Sequence, residues 1–211
     1  MAKQKTRFKS LSGASFSRGI SYLSKTDRDL AQVVSRFGNP PLRAREPGFP
    51  TLVLIILEQQ VSLASARASF NRLQEAAGSL SPGRFLSFDD RQLKTIGFSR
   101  QKIRYCRELA SAIIQGSLGL EELHEMEDSM ARSRLMEMKG IGNWTADIYL
   151  MTAMMRPDVW PSGDLALAQA TQEVKRLSSR PRPEELEEIA EPWRPWRTVA
   201  ARILWHHYLS K

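Results

Sequence analysis

The sequence predicts an all-α fold, and three observations carry that prediction. From Asp27 onward, apolar residues recur three and four positions apart, the spacing of one helix face. No run alternates apolar and polar residues in the way a half-buried strand does. Gly140 and Gly142 make a Gly-x-Gly turn between two helical patterns, with no strand in front of it.

In chain order, residues 1–15 read as a basic tail, either disordered and solubilising or in contact with a polyanion, and residues 16–211 as one folded unit with two helical lobes. Asp27 caps a helix through Arg36, and the Pro/Gly-rich stretch from Phe37 to Pro50 cannot continue it. A second helix starts near Thr51 and is interrupted or redirected between Glu58 and Ser62; a third runs from Ser65 to Ala77. A short Pro-initiated helix, an Asp89-capped helix, a turn at Gly97 to Arg100 and a longer helix up to Gly116 follow. Two short helices, Glu121 to Met126 and Ser129 to Met138, precede the Gly-x-Gly turn. Beyond it come a helix from Asn143 to Met155, the loop RPDVWPSGD, a helix from Leu165 to Leu177, a short helix from Pro183 to Ala190 and a closing helix within PWRPWRTVAARILWHHYL.

Bulk composition narrows the function. The 211 residues, 42% of them hydrophobic, can bury a substantial core. The apolar run Thr51 to Leu57 stops at Glu58, well short of the roughly 20 residues a membrane helix needs. The N-terminus is basic but lacks the apolar core of a secretory signal, so the protein is expected in the cytosol or nucleoid. A single cysteine, Cys106, excludes an intramolecular disulfide, a four-cysteine zinc site and a cysteine-ligated iron–sulfur cluster within this chain. His124, His206 and His207 share no metal-ligand spacing with carboxylates or Cys106, so no catalytic metal is assigned. The 31 Lys and Arg against 23 Asp and Glu leave a net charge of +8, of which +5 lies in the first 30 residues, and favour a polyanionic partner, nucleic acid first.

A Gly-x-Gly turn that opens a helix presents backbone N–H groups at the positive end of the helix dipole, which suits a phosphate. A dinucleotide fingerprint would need a preceding strand and a third glycine, and here Trp144 and Thr145 follow instead. Helix, tight Gly140-Ile141-Gly142 turn, helix is the layout of a helix–hairpin–helix over about 129–155, although a plain αα-corner would use the same glycines. Twenty residues after Trp144, Asp164 stands before an apolar helix. Such an aspartate is ordinarily an N-cap, and a cap that fixes the carboxylate's direction is compatible with catalysis.

The blocks PGFPTLVLIILEQQVSLASA, IGFSRQKIRYCRELA, KGIGNWTADIYL, DVWPSGDLAL and PWRPWRTVAARILW, in this order, resemble the helix–hairpin–helix superfamily of base-excision DNA glycosylases. The likeness runs from about Ile20 to Leu209 and is greatest to the bacterial 3-methyladenine DNA glycosylase II type, in a compact form without that type's N-terminal β-domain. It implies two helical lobes with the active site in the cleft between them and a monomer acting on double-stranded DNA that contains alkylated bases, in the bacterial cytosol with no membrane partner. It implies no cofactor for catalysis and a Na+ or K+ ion at the hairpin on the main-chain carbonyls of Met136, Met138 and Ile141.

Asp164 matches the family's catalytic aspartate. Trp144 stands where strand-nicking members carry a nucleophilic lysine, which implies a monofunctional enzyme. Trp144, Trp205 and Trp160 are the expected base-pocket residues, although Trp144, Ile148, Met151 and Met155 also make a stripe that core packing alone would explain. Gln60 matches the wedge that fills the gap left by a flipped nucleotide, and Phe98 is expected to plug the opposite strand. Lys139, Gly140, Gly142, Asn143 and Thr145 are expected at a DNA phosphate. Ile148 and Leu165 depart from the family, occupying positions where well-known bacterial relatives have pocket tyrosines. Asp147 and Asp158 read as solvated or locally hydrogen-bonded acids.

Overall fold

The computed structural model describes residues 10–210, which contain helices and turns and no strand. The tail proposed for residues 1–15 therefore lies mostly outside the described residues. Contacts divide the chain into two compact units, one of residues 45–149 and one that joins residues up to 44 with residues 150–211.

The discontinuous unit begins with α1, Gly13–Thr26, a helix the sequence reading did not foresee. Its glycines and serines are poor helix formers, which hid it. What makes it form is a reciprocal capping box between Ser12 and Ser15 and a buried stripe of Phe16, Gly19, Ile20 and Leu23. Gly19 lets α1 approach closely: a Cβ there would lie 2.9 Å from both the Trp196 ring and Val199. Ahead of α1, Leu11 donates its amide to the Met155 carbonyl at 2.7 Å.

The other helices of this unit are α2 (Arg28–Phe37), α10 (Leu165–Lys175), α11 (Pro183–Ala190) and α12 (Arg197–Leu209). In α12 the unbroken run Thr198–Leu204 is buried, and the helix packs against α1, α2 and α10. The predicted end of α10 at Leu177 is corrected to Lys175, because Arg176 adopts a left-handed conformation.

Asp27 caps α2 as expected, accepting from the Asp29 and Leu30 amides. It also accepts from Lys175 Nζ and Trp193 Nε1, each at 2.7 Å. Burial works against this carboxylate, but those donors outweigh it and hold its pKa below the ordinary value of 3.8. The stabilisation is therefore complete above the unfolded pKa and is lost as the pH falls through the lower folded value. Asp27→Asn is expected to cost about 2 kcal/mol at neutral pH. Thermal unfolding of the two proteins should begin to draw together as the pH falls below 3.8 and converge only beneath the lower folded value.

The continuous unit is built around α3, Phe49–Glu58, buried at every position but Pro50. That burial explains why its sequence is apolar all round. Around it lie α4 (Leu63–Ala77), α5 (Pro82–Leu86), α6 (Asp90–Ile96) and α7 (Arg100–Ile114), followed by a 3-10 turn at Glu122–Glu125 and by α8 (Asp128–Met136). Helix α9, Asn143–Thr152, ends three residues before the predicted Met155, which turns the chain with a φ of +56°.

Several buried polar groups in this unit are paired. Arg45 grips Glu58 with both terminal nitrogens, at 2.9 and 3.0 Å. The Tyr149 hydroxyl accepts from the Gly48 amide at 3.0 Å, and burial pushes its pKa up. Asp147, expected to be solvated or locally bonded, is buried and accepts from Arg132 at 2.6 Å.

Candidate active site

In the continuous unit, α8 and α9 enclose the Gly140-Ile141-Gly142 turn. Ile141 is buried, and its amide donates to the Met138 carbonyl at 3.0 Å. Gly140 has a φ of +88°, and a Cβ there would lie 2.2 Å from the Tyr105 ring, so conformation and space both demand glycine. Gly142 differs, since no atom lies within 4 Å of the place its Cβ would occupy. The α9 hydrogen-bond ladder starts with the Ala146 amide donating to Gly142 O, which puts the amides of Gly142 and Asn143 ahead of it at the positive helix end. Lys139, Gly142 and Asn143 are exposed and Trp144 is half-buried.

Thr145, also expected at a phosphate, requires correction. It is 2% exposed and its hydroxyl accepts from Gln59 Nε2 at 2.8 Å, so the side chain is engaged inside the protein. The same Gln59 nitrogen donates to the Gly140 carbonyl at 2.8 Å. Gln60 follows, exposed, with a left-handed φ of +57°. These groups border a concavity of about 360 Å³ lined by Gln59, Gln60, Gln101, Lys102, Tyr105 and residues 140–142. Gln101, Lys102 and Tyr105 escaped the sequence reading because their helix meets the turn only through the fold. Lys102 Nζ donates to Leu57 O at 2.7 Å and Gln59 O at 2.9 Å, and burial lowers its pKa.

Phe98 is a second correction. It is 3% exposed and its ring lies 5.7 Å from that of Phe85, so it belongs to the core of this unit and cannot plug a strand as it stands.

In the discontinuous unit, Asp164 sits at the N-cap of α10. Its Oδ1 accepts from the Leu167 amide at 2.7 Å and from Trp205 Nε1 at 3.1 Å. The loop before it is pinned to the start of α12. Asp158 accepts from Arg194 at 2.7 Å and Arg197 at 2.9 Å, while Thr198 Oγ1 donates to Arg156 O and accepts from Val159 N. Asp164 N donates to Pro161 O at 2.9 Å. A carboxylate so fixed, on a half-exposed residue, is suited to electrostatic and proton-transfer work. Asp158, by contrast, is committed to two arginines.

Trp160 is a third correction. It is 4% exposed and packs edge-on against Trp193 at 5.4 Å, which makes it core rather than a surface on which a base could stack. Of the two departing positions, Ile148 is buried and Leu165 is 70% exposed. Among the described residues, no three His, Cys, Asp or Glu side chains are grouped to hold a metal ion.

Residues 53–195 match the sequence pattern of the HhH-GPD superfamily of base excision DNA repair proteins. The chain belongs to that superfamily. DNA-3-methyladenine glycosylase 1 of Schizosaccharomyces pombe is 30% identical over 191 residues, which cover 87% of this chain and 84% of that protein. The solved structure of the same organism's 3-methyladenine DNA glycosylase Mag1 with abasic DNA superposes with a TM-score of 0.84 at 29% identity, covering 89% of this chain and 95% of that one. A DNA-3-methyladenine glycosidase from Bacillus halodurans gives a TM-score of 0.77 at 28% identity, covering 90% and 88% of the two chains. The HhH-GPD assignment takes in the hairpin, the turn and Asp164 together, since all three fall inside the matched residues.

Proposed function

We propose that this protein is a monofunctional DNA glycosylase that hydrolyses the N-glycosidic bond of alkylated purines flipped out of duplex DNA, in base excision repair. The observation that carries the reading is Asp164, fixed at the N-terminus of α10 by the Leu167 amide and the Trp205 indole. A base within a duplex is out of reach, and flipping it out costs a few kcal/mol, least when it is damaged. Methylation at N3 or N7 makes a purine cationic and a better leaving group. As the C1′–N bond breaks, its electron pair goes to the base and positive charge grows on the sugar. The Asp164 carboxylate stabilises that charge and orients the water whose oxygen bonds C1′, the water's proton passing to the carboxylate or to solvent.

Trp205, which donates to Asp164, contributes an aromatic face for the cationic base, worth about 0.5–2 kcal/mol. Trp144, in place of a lysine, leaves no amine there to attack C1′, so the product is an abasic site on an unbroken strand. The exposed Leu165 shapes which lesions enter. Gln60 serves as the wedge. Lys139 and the amides of Gly142 and Asn143 grip a phosphate, which positions the duplex without reading its sequence. The carbonyls of Met136, Met138 and Ile141 are hard oxygen donors suited to Na+ or K+; Met138 O already accepts from Ile141 N, and its second lone pair is available to an ion. The enzyme acts as a monomer wherever its DNA is kept, the cytosol and nucleoid of a bacterial cell.

Because open space surrounds Gly142, Gly142→Ala is expected to leave thermal unfolding unchanged while weakening binding to an abasic duplex several-fold, measured by fluorescence anisotropy. Equal affinity would remove the phosphate from this turn.

The function is tested by incubating the protein with methylated duplex DNA and separating the freed bases by chromatography. Release of 3-methyladenine or 7-methylguanine is expected. Tight DNA binding with no freed base would identify a binding module, and release of uracil or hypoxanthine alone would move the substrate class.

A further inference from the structure

The left-handed backbone at Gln60 is one that side-chain-bearing residues seldom adopt, so something must hold it. It lies two residues after Glu58, the last residue of α3, where the final carbonyls of that helix need partners. Lys102, from the first turn of α7, supplies them, its ammonium donating to both Leu57 O and Gln59 O. Gln59 ties the other side, its amide donating to the Gly140 carbonyl in the hairpin turn and to the Thr145 hydroxyl at the start of α9. Tyr105, one helical turn beyond Lys102, lies against Gly140, and its hydroxyl accepts from Gln101. The end of α3, the start of α7 and the hairpin turn are thereby fastened around one residue, Gln60, whose side chain is left exposed.

We infer that Lys102 and Gln59 are positioning residues that make the wedge loop and the phosphate-gripping hairpin one rigid piece, so that seating the hairpin on the DNA backbone places Gln60 in the base stack. This rests on the glycosylase reading above. The contacts separate it from simple helix capping: a capping lysine would satisfy the α3 carbonyls alone, whereas here the residue that receives Lys102 also reaches the turn that meets phosphate. An aligned wedge pays part of the flipping cost, and a loose one leaves that cost in the barrier.

The test compares Lys102→Met, and Gln59→Leu as a second variant of similar shape, with the native protein in single-turnover base release from two duplexes. One carries a paired 7-methylguanine, the other the same lesion inside an unpaired loop, where flipping costs little. Both variants should lose about tenfold on the paired lesion and stay within about twofold on the unpaired one. Adding Gln60→Ala to Lys102→Met should cost nothing more. Equal losses on the two duplexes, or none on the paired lesion, would overturn the inference, and thermal unfolding of each variant identifies a damaged fold.

A second readout needs no catalysis. With 2-aminopurine beside a stable abasic analogue, saturating native protein should raise the fluorescence by unstacking the base, and Lys102→Met should raise it less at equal saturation. An equal rise would overturn the inference. No base release by the native protein combined with the fluorescence difference would locate the failure in the glycosylase reading and leave the positioning role standing.

Discussion

Asp164→Asn is expected to slow base release by roughly 10²–10³-fold while changing affinity for an abasic duplex by no more than a few-fold. The substitution keeps the shape of the side chain and an oxygen able to accept from the Leu167 amide and Trp205 Nε1. What it removes is the negative charge, whose value grows as the sugar becomes cationic and is small before the bond stretches. The loss should therefore fall on the single-turnover rate and spare ground-state binding. Single-turnover kinetics with saturating enzyme measures the first quantity and anisotropy the second. A loss confined to affinity would place Asp164 in binding instead.

Gly140→Ala is expected to be the most damaging small substitution in the hairpin. Its φ of +88° costs an alanine about 1–2 kcal/mol, and a Cβ 2.2 Å from the Tyr105 ring must push Tyr105 or the turn aside at a further roughly 1–3 kcal/mol. Because the Gly140 carbonyl also receives the Gln59 amide, the displacement reaches the loop that carries Gln60. Urea unfolding should show a stability loss of about 2–5 kcal/mol. Set beside Gly142→Ala, whose Cβ meets nothing in the protein, the contrast separates a glycine the fold needs from one the ligand needs. An unchanged midpoint for Gly140→Ala would contradict the packing described here.

How much of this could be read from the chain depended on how far apart its parts lie in sequence. The turn at Gly140–Gly142, the cap at Asp27 and the cap at Asp164 are local chemistry, and each is where the residues implied. Helix α1 was missed although its Ser12–Ser15 capping box is local: its Gly and Ser residues lower the helix propensity, and the stripe from Phe16 to Leu23 is stabilised by packing against α12. The grip of Gln59 on Gly140 spans 81 residues, that of Lys102 on Gln59 spans 43, and that of Trp205 on Asp164 spans 41, so no local pattern announces them. Phe98 and Trp160 failed for a related reason. Their aromatic rings suit a DNA interface and a core equally well, and only the neighbouring Phe85 and Trp193 decide for the core. Thr145 failed because its hydroxyl found a partner in Gln59, just past the end of α3.

The central claim, hydrolysis of one glycosidic bond without strand cleavage, is tested most directly on an end-labelled duplex with a single 7-methylguanine. The strand is resolved by denaturing electrophoresis before and after mild alkali, with a parallel sample reduced by borohydride during the reaction. The prediction is an intact strand before alkali, cleavage at the lesion after it, and no protein–DNA adduct under borohydride. A strand that alkali leaves no more cleaved than in a sample without protein would show that no base was removed, and a borohydride-stable adduct would show an amine attacking C1′ where Trp144 and Asp164 require water.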